Sequence, residues 1–110
     1  MKVILEEIVY FDVDKTLVFH HEGTIVVDYY GEPRHLRPHK EHIAFLKALK
    51  ARGYHIKVHS NNGAVWAANV VTALQLEQFV DEVLTKPYKI IDDEHPKAWM
   101  PKNIYIEDKG

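Results

Sequence analysis

The 110-residue chain contains no cysteine, which removes a disulfide framework, a thiolate metal site and a thiol nucleophile. It has no apolar run near the roughly 18–20 residues that a membrane helix requires, so no membrane partner is expected. It lacks an excess of either charge. Fourteen lysines and arginines face 16 aspartates and glutamates, and a net charge of −2 gives no push toward nucleic acid or an anionic membrane. Two acids, Glu6 and Glu7, stand where a secretory leader would keep its apolar stretch, so a soluble cytoplasmic protein is expected. Internal repeats and linkers are also missing. What is present, 46% hydrophobic and 27% charged residues, is an ordinary globular composition suited to one domain over residues 1–110.

Along the chain, Ile8-Val9-Tyr10-Phe11 reads as a buried strand, with a start as early as Ile4. Residues 17–36 carry β-formers (Val18, Phe19, Ile25, Val26, Val27, Tyr29, Tyr30) between the turn signals Gly23 and Gly31-Glu32-Pro33, and predict a β-hairpin flap. Pro38 stands at the expected start of a helix and Gly53 just past its end, with Ile43, Leu46 and Leu49 at helical spacing between them. Tyr54 to His59 alternates as a second strand. Ala64 to Leu76 reads as an alanine-rich helix packed on a sheet, with Asn61 or Asn62 as its N-cap. Phe79 to Leu84 reads as a short strand or turn, Tyr88 to Ile91 as a third strand, and Ile104 to Ile106 as a fourth. This βαβ order predicts an α/β fold: a small parallel sheet with helices on both faces in three Rossmann-like layers, and a hairpin arm after the first strand.

Chemistry-bearing residues gather at the expected strand ends. Asp12 and Asp14, two apart, can converge where the chain curls past the first strand, and two close carboxylates suit a hard cation such as Mg²⁺. Read alone, they are equally a solvated acidic turn. Ser60, Asn61 and Asn62 follow the second strand at a helix N-terminus, where a hydroxyl and backbone N–H groups form an anion site or simply cap the helix. Asp92 and Asp93 follow the expected third strand. Ligands of open α/β sheets bind at this carboxyl edge, so the joint order carries more than any single pair.

These residues resemble the motifs of the haloacid dehalogenase superfamily, which consists mostly of Mg²⁺-dependent phosphatases. Phe11-Asp12-Val13-Asp14-Lys15-Thr16-Leu17 looks like its first motif and Val58-His59-Ser60-Asn61-Asn62 its second. Thr85-Lys86-Pro87 looks like the third and Ile90-Ile91-Asp92-Asp93 the fourth. Lys86-Pro87, Asp92-Asp93 and Trp99-Met100 are also similar to short capless members encoded by phages. The resemblance implies that Asp12 attacks phosphorus to give an aspartyl-phosphate, and that Asp14 protonates the leaving oxygen and then takes a proton from water. It implies Mg²⁺ held by Asp12, the backbone carbonyl of Asp14 and Asp93, with Asp92 acting through water or orienting Lys86. Ser60 and the N–H of Asn61 would hold phosphoryl oxygens, and Lys86 would offset their charge. The implied substrate is a phosphomonoester, either a small molecule or a nucleic-acid end; the same fold could instead serve as a non-catalytic metal- or phosphate-binding module.

Two positions depart from the family pattern. Lys15 stands where many members have glycine. Lys86 precedes Asp92 by six residues, and a straight strand of that length spans about 20 Å, placing Lys86 at the wrong edge of the sheet unless Pro87 bends the chain. Lys15, Arg34 and Lys89 are the alternative phosphate cations, and Glu107-Asp108, after Ile104–Ile106, is the rival fourth motif. Among eight histidines, His35, His39 and His42 approach helical spacing and offer a transition-metal cluster, although Pro38 interrupts them and exposed polar residues are the simpler reading. His59 is expected to face the side of the sheet opposite Ser60. Tyr29, Tyr30, Arg34, His35 and Arg37 suit either nucleotide contacts or cover for a small core. Trp66 reads as core and Trp99 as an anchor for the tail.

Overall fold

A computed structural model describes residues 1, 5–21 and 23–93. Strand β1 (Ile8–Asp12) pairs in parallel with β5 (His55–Ser60), which pairs in parallel with β6 (Glu82–Thr85), in the order β1-β5-β6. The register sets Asp12 beside His59 and Ser60 beside Thr85, so the carboxyl ends of all three strands finish level. Along β5 the alternation is decisive. Ile56 and Val58 are fully buried, whereas Lys57 and His59 are only partly so. Each buried apolar side chain contributes roughly 1.5–3 kcal/mol. A one-residue slip would exchange Ile56 and Val58 for a lysine and a histidine, so the register is strongly specified.

Helix α1 (Lys40–Ala51) connects the first strand region to β5, and α2 (Ala64–Ala73) connects β5 to β6. Both crossovers step the same way across the sheet. Right-handed connections therefore lay both helices on one face, where Leu46, Trp66, Val70 and Leu76 form the core with Phe11, Ile56 and Val58. The expectation of helices on both faces is corrected: among the described residues the opposite face, carrying Tyr10, Lys57 and His59, has no helix over it. The caps also differ from expectation. Pro38 ends a strand, and His39 caps α1, its Nδ1 accepting from the His42 N–H. Gly63, with φ +101°, caps α2 in place of Asn61 or Asn62. A Cβ there would stand 2.6 Å from the Tyr30 hydroxyl, so both backbone and packing call for glycine.

The flap is a second sheet, order β2-β4-β3, made of β2 (Val18–Phe19), β3 (Ile25–Tyr29) and β4 (Glu32–Pro38). It runs two residues beyond the expected end at Leu36. Tyr30 (φ 49°) and Gly31 (φ 92°) form its two-residue tip, both left-handed as a type I′ turn requires. The inward residues Val18, Val27 and Leu36 join the core, so the flap is packed on the domain along its length. The histidine expectation separates: His35 lies on β4, while His39 and His42 stack with ring centroids 3.4 Å apart. His42 spends its Nδ1–H on the Thr16 carbonyl, and no group of three metal-ligating side chains occurs among the described residues.

The third strand is Glu82–Thr85, and the expected strand at Tyr88–Ile91 is corrected. The last ladder bond is donated by the Lys86 N–H to the Ser60 carbonyl at 3.1 Å, and beyond Pro87 both Tyr88 (95%) and Ile91 (96%) are exposed. Composition favoured the wrong run because the real strand opens with acids. Those acids are spent on partners. Glu82 pairs with Lys57 and His55, and Asp81 with Lys50 at 2.7 Å. Asp81 also bridges to β5, donating its N–H to the Ile56 carbonyl and accepting the Ile56 N–H at Oδ2. Ile104–Ile106, Glu107-Asp108, Trp99-Met100 and His95 lie outside the described residues.

Burial pushes the Asp81 carboxyl up, but the Lys50 ammonium and the Ile56 N–H outweigh it and hold the group below its ordinary value. The stabilisation is therefore present above about pH 4 and lost as pH falls through the depressed folded value. Asp81→Ala should cost roughly 1–3 kcal/mol in urea unfolding at pH 7, because it leaves the Ile56 amide without its acceptor. The gap between wild type and variant should narrow below pH 4; an unchanged gap down to pH 2 would contradict this assignment.

Candidate active site

The site is built at the carboxyl edge of β1, β5 and β6. After β1 the chain turns sharply around Val13, whose carbonyl accepts from the N–H groups of Leu17 and Thr16. Lys15 takes φ 65° in this turn, a left-handed conformation that glycine adopts most readily. The turn throws Asp14 back over the strand end, near Ser60.

Asp14 is the most heavily bonded side chain of the region. Its Oδ2 accepts from the Ser60 hydroxyl at 3.2 Å and the Asn62 amide at 3.0 Å; its Oδ1 accepts from the Trp66 indole N–H at 3.1 Å and from His20 Nε2. Ser60, fully buried, also accepts the Asn62 backbone N–H at 3.0 Å. Asn61 sits exposed in the turn directly after Ser60. The α2 N-terminus receives a hydroxyl from outside its own chain segment, the Ala64 N–H donating to Thr85 Oγ1 at 2.9 Å.

Asp12 lies 3.3 Å from Lys86 Nζ. Because β6 ends at Thr85, Lys86 stands at the carboxyl edge itself, and no bend at Pro87 is needed to bring it there. The concern raised by its short distance in sequence from Asp92 came from misplacing the third strand. Arg34, an alternative cation, pairs with Glu32 at 2.9 Å on the flap. Asp92 and Asp93 are exposed, seven and eight residues past the end of β6. They do not form with Asp12 and Asp14 a group of three ligands among the described residues. Among the described residues at this edge, Asp12 and the carbonyl of the Asp14 turn are the oxygens that could hold a hard cation keeping much of its water shell.

His59 faces away from Ser60, as expected, and its ring lies 5.0 Å from that of Tyr10. Burial, and then the Lys86 charge, hold its pKa below 6.5, with Asp12 opposing. Sequence reading missed the site contacts of Trp66 and His20, and it read Asn62 as a helix cap or part of an anion site without its side-chain bond to Asp14. Trp66 was legible only as core, and it is core, yet its one polar atom reaches Asp14. No family model, curated protein or solved structure matches the chain.

The His59 imidazole should titrate below pH 6.5 by NMR. Lys86→Met should move the midpoint up and Asp12→Asn should move it down. Since the unfolded chain takes up this proton first, His59 should subtract stability as pH falls below 6.5. A His59 midpoint indifferent to Lys86→Met would show that the ammonium does not stand at this edge.

Proposed function

We propose that the protein is a Mg²⁺-dependent phosphohydrolase that works through an aspartyl-phosphate on Asp12, with the chemistry of the haloacid dehalogenase superfamily it resembles. The observation that supports this most is the meeting, at one sheet edge, of the Asp12–Lys86 pair with the Asp14–Ser60–Asn62 cluster. Asp12 is the nucleophile: its carboxylate oxygen bonds to phosphorus as the bond from phosphorus to the leaving oxygen breaks. A carboxylate is a weak nucleophile, so position and charge compensation supply the rate. Lys86 supplies part of that compensation, since an ammonium within reach of Asp12 also stands beside the incoming phosphoryl oxygens. Mg²⁺, when bound through Asp12 and the Asp14 carbonyl, would neutralise phosphoryl charge.

Asp14 is the acid and then the base. Protonated, it gives its proton to the leaving oxygen; ionised, it accepts one from the water that displaces the phosphoryl group from Asp12, which regenerates both carboxyl groups. To carry that proton, Asp14 must shed one of its donors. Ser60 is suited to leave, because a hydroxyl can rotate from Asp14 to a phosphoryl oxygen while keeping the Asn62 N–H. Ser60 thus ties substrate binding to release of Asp14, with the Asn61 N–H as its neighbour at the phosphate.

With Lys86 beside Asp12, the ground for a non-catalytic binding module is weakened. A second reading of the substrate, a phosphorylated nucleic-acid end, is favoured by Tyr30, whose ring is 59% exposed at the flap tip beside the site, and by Arg34 over the Tyr29 ring at 4.6 Å.

The purified protein with Mg²⁺ should release phosphate from a panel of phosphomonoesters that includes 3′- and 5′-phosphorylated oligonucleotides. Chelation should abolish this release and added Mg²⁺ restore it. Asp12→Asn should lower turnover by on the order of 10³-fold or more with the fold intact by circular dichroism. No release from any member of the panel, or an active Asp12→Asn protein, would overturn the proposal. Preference for oligonucleotides over small esters would select the second reading.

A further inference from the structure

Asn62 occupies a place that neither the motif nor the mechanism above explains. Each of its polar groups is committed. The backbone N–H goes to Ser60 Oγ at 3.0 Å, and the side-chain Nδ2 to Asp14 Oδ2 at 3.0 Å. Its Oδ1 accepts from the Tyr29 hydroxyl at 3.2 Å, and its carbonyl accepts from the Tyr30 hydroxyl. An asparagine amide has two faces of opposite polarity, and a flip would point its oxygen at the Asp14 carboxylate. The Asp14 carboxylate, which only accepts, selects the orientation in which the NH₂ meets it, and the Tyr29 hydroxyl complements that orientation by donating to Oδ1. Two tyrosines at the tip of the flap, more than 30 residues away in sequence, thus hold Asn62 in place.

The flap tip is itself held. Tyr29 packs edge-on against Trp66 at 5.1 Å and against Tyr30 at 4.9 Å. Asn69 of α2 donates to the Asp28 carbonyl at 3.2 Å, and the Asp28 side chain accepts the Gly31 N–H at the turn. Trp66, the neighbour of Tyr29, donates to the other oxygen of Asp14. Both oxygens of Asp14 are thus positioned by groups that rest on the flap, one through Asn62 and one through Trp66. When Ser60 turns to a phosphoryl oxygen, Asn62 is the donor left on Oδ2.

We propose that Asn62 is a positioning residue for Asp14, held in place by the Tyr29 and Tyr30 hydroxyls, so that the flap acts as a clamp on the proton-transferring carboxyl. The proposal rests on the assignment of Asp14 as acid and base. Its consequence is a dependence on the leaving group. An alkyl phosphate needs its leaving oxygen protonated, whereas p-nitrophenyl phosphate, with a stable anion to release, does not. A residue that only holds the fold together would slow both alike.

Two measurements on the full chain separate the clamp from the phosphatase reading. The first is the indole N–H resonance of Trp66, assigned with Trp66→Phe, which reports the position of Asp14 without any turnover. Asn62→Ala and the Tyr29→Phe/Tyr30→Phe double variant should each shift it. An unmoved resonance in both would overturn the clamp, even if the protein proves to hydrolyse nothing. The second is kcat/KM in the presence of Mg²⁺, which reads only the steps up to departure of the leaving group and so excludes the water attack common to all substrates. Asn62→Ala should lower it on the order of 10²-fold for alkyl phosphates and by less than about tenfold for p-nitrophenyl phosphate. The double tyrosine variant, which keeps both rings, should show the same split to a smaller degree. Equal losses on both substrates would overturn the positioning role while leaving the phosphatase reading standing.

Discussion

A single carboxylate organises this molecule. Asp14 accepts hydrogen bonds from His20 after β2, Ser60 at the end of β5, Asn62 in the following turn and Trp66 on α2. These donors come from the segment after a flap strand, the end of the central strand, the turn that follows it and the second helix. A partly buried charge is costly unless its oxygens are satisfied, so the sharp turn around Val13, the register of β5 and the docking of α2 must all be right together. Removing any one donor leaves the others in place, but removing the carboxylate leaves four donors facing one another.

The same arrangement gives the edge its chemical asymmetry. Asp12, one residue before the turn's centre, meets a cation just past the end of β6; Asp14, one residue after it, meets hydroxyl, amide and ring donors. Two carboxylates with the same intrinsic chemistry thus receive different surroundings, and the proposed division of labour between nucleophile and proton carrier rests on that difference. The flap completes the edge. It is neither a separate cap nor a loose loop, since Val18, Val27 and Leu36 sit in the core and its tip is bonded to the turn after β5. At the tip the outer tyrosine, Tyr30, is exposed to solvent.

Much of this was legible in the sequence. The strand at Ile8, the hairpin between Leu17 and Leu36, the two helices and the convergence of Asp12, Asp14 and Ser60 all follow from periodicity, turn residues and strand ends. The third strand was legible only as a short strand or turn over Phe79–Leu84, set behind the more apolar Tyr88–Ile91, because Asp81 and Glu82 carry charge where a strand pattern expects apolar residues, and only the partners Lys50, Lys57 and His55 explain them. That one displacement made Lys86 look misplaced. Trp66 and Asn62 were hidden for a different reason. A tryptophan in an alanine-rich helix reads as packing, and an asparagine before a helix reads as a cap; the polar atom of each finds its partner across the fold, at distances no local pattern encodes. The Gly63 cap made the second error possible, because it freed the Asn62 side chain to reach Asp14.

The central claim is that Asp12 carries the phosphoryl group during turnover. It is tested most directly by acid-quenching the protein in the presence of Mg²⁺ and a phosphomonoester that it hydrolyses, then mapping the phosphoryl group by peptide mass spectrometry. The account predicts a phosphorylated peptide whose modified residue is Asp12, absent when chelator replaces Mg²⁺. A phosphoryl group on any other residue, or sustained hydrolysis with no phosphoenzyme at Asp12 even when water attack is slowed by Asp14→Asn, would contradict it.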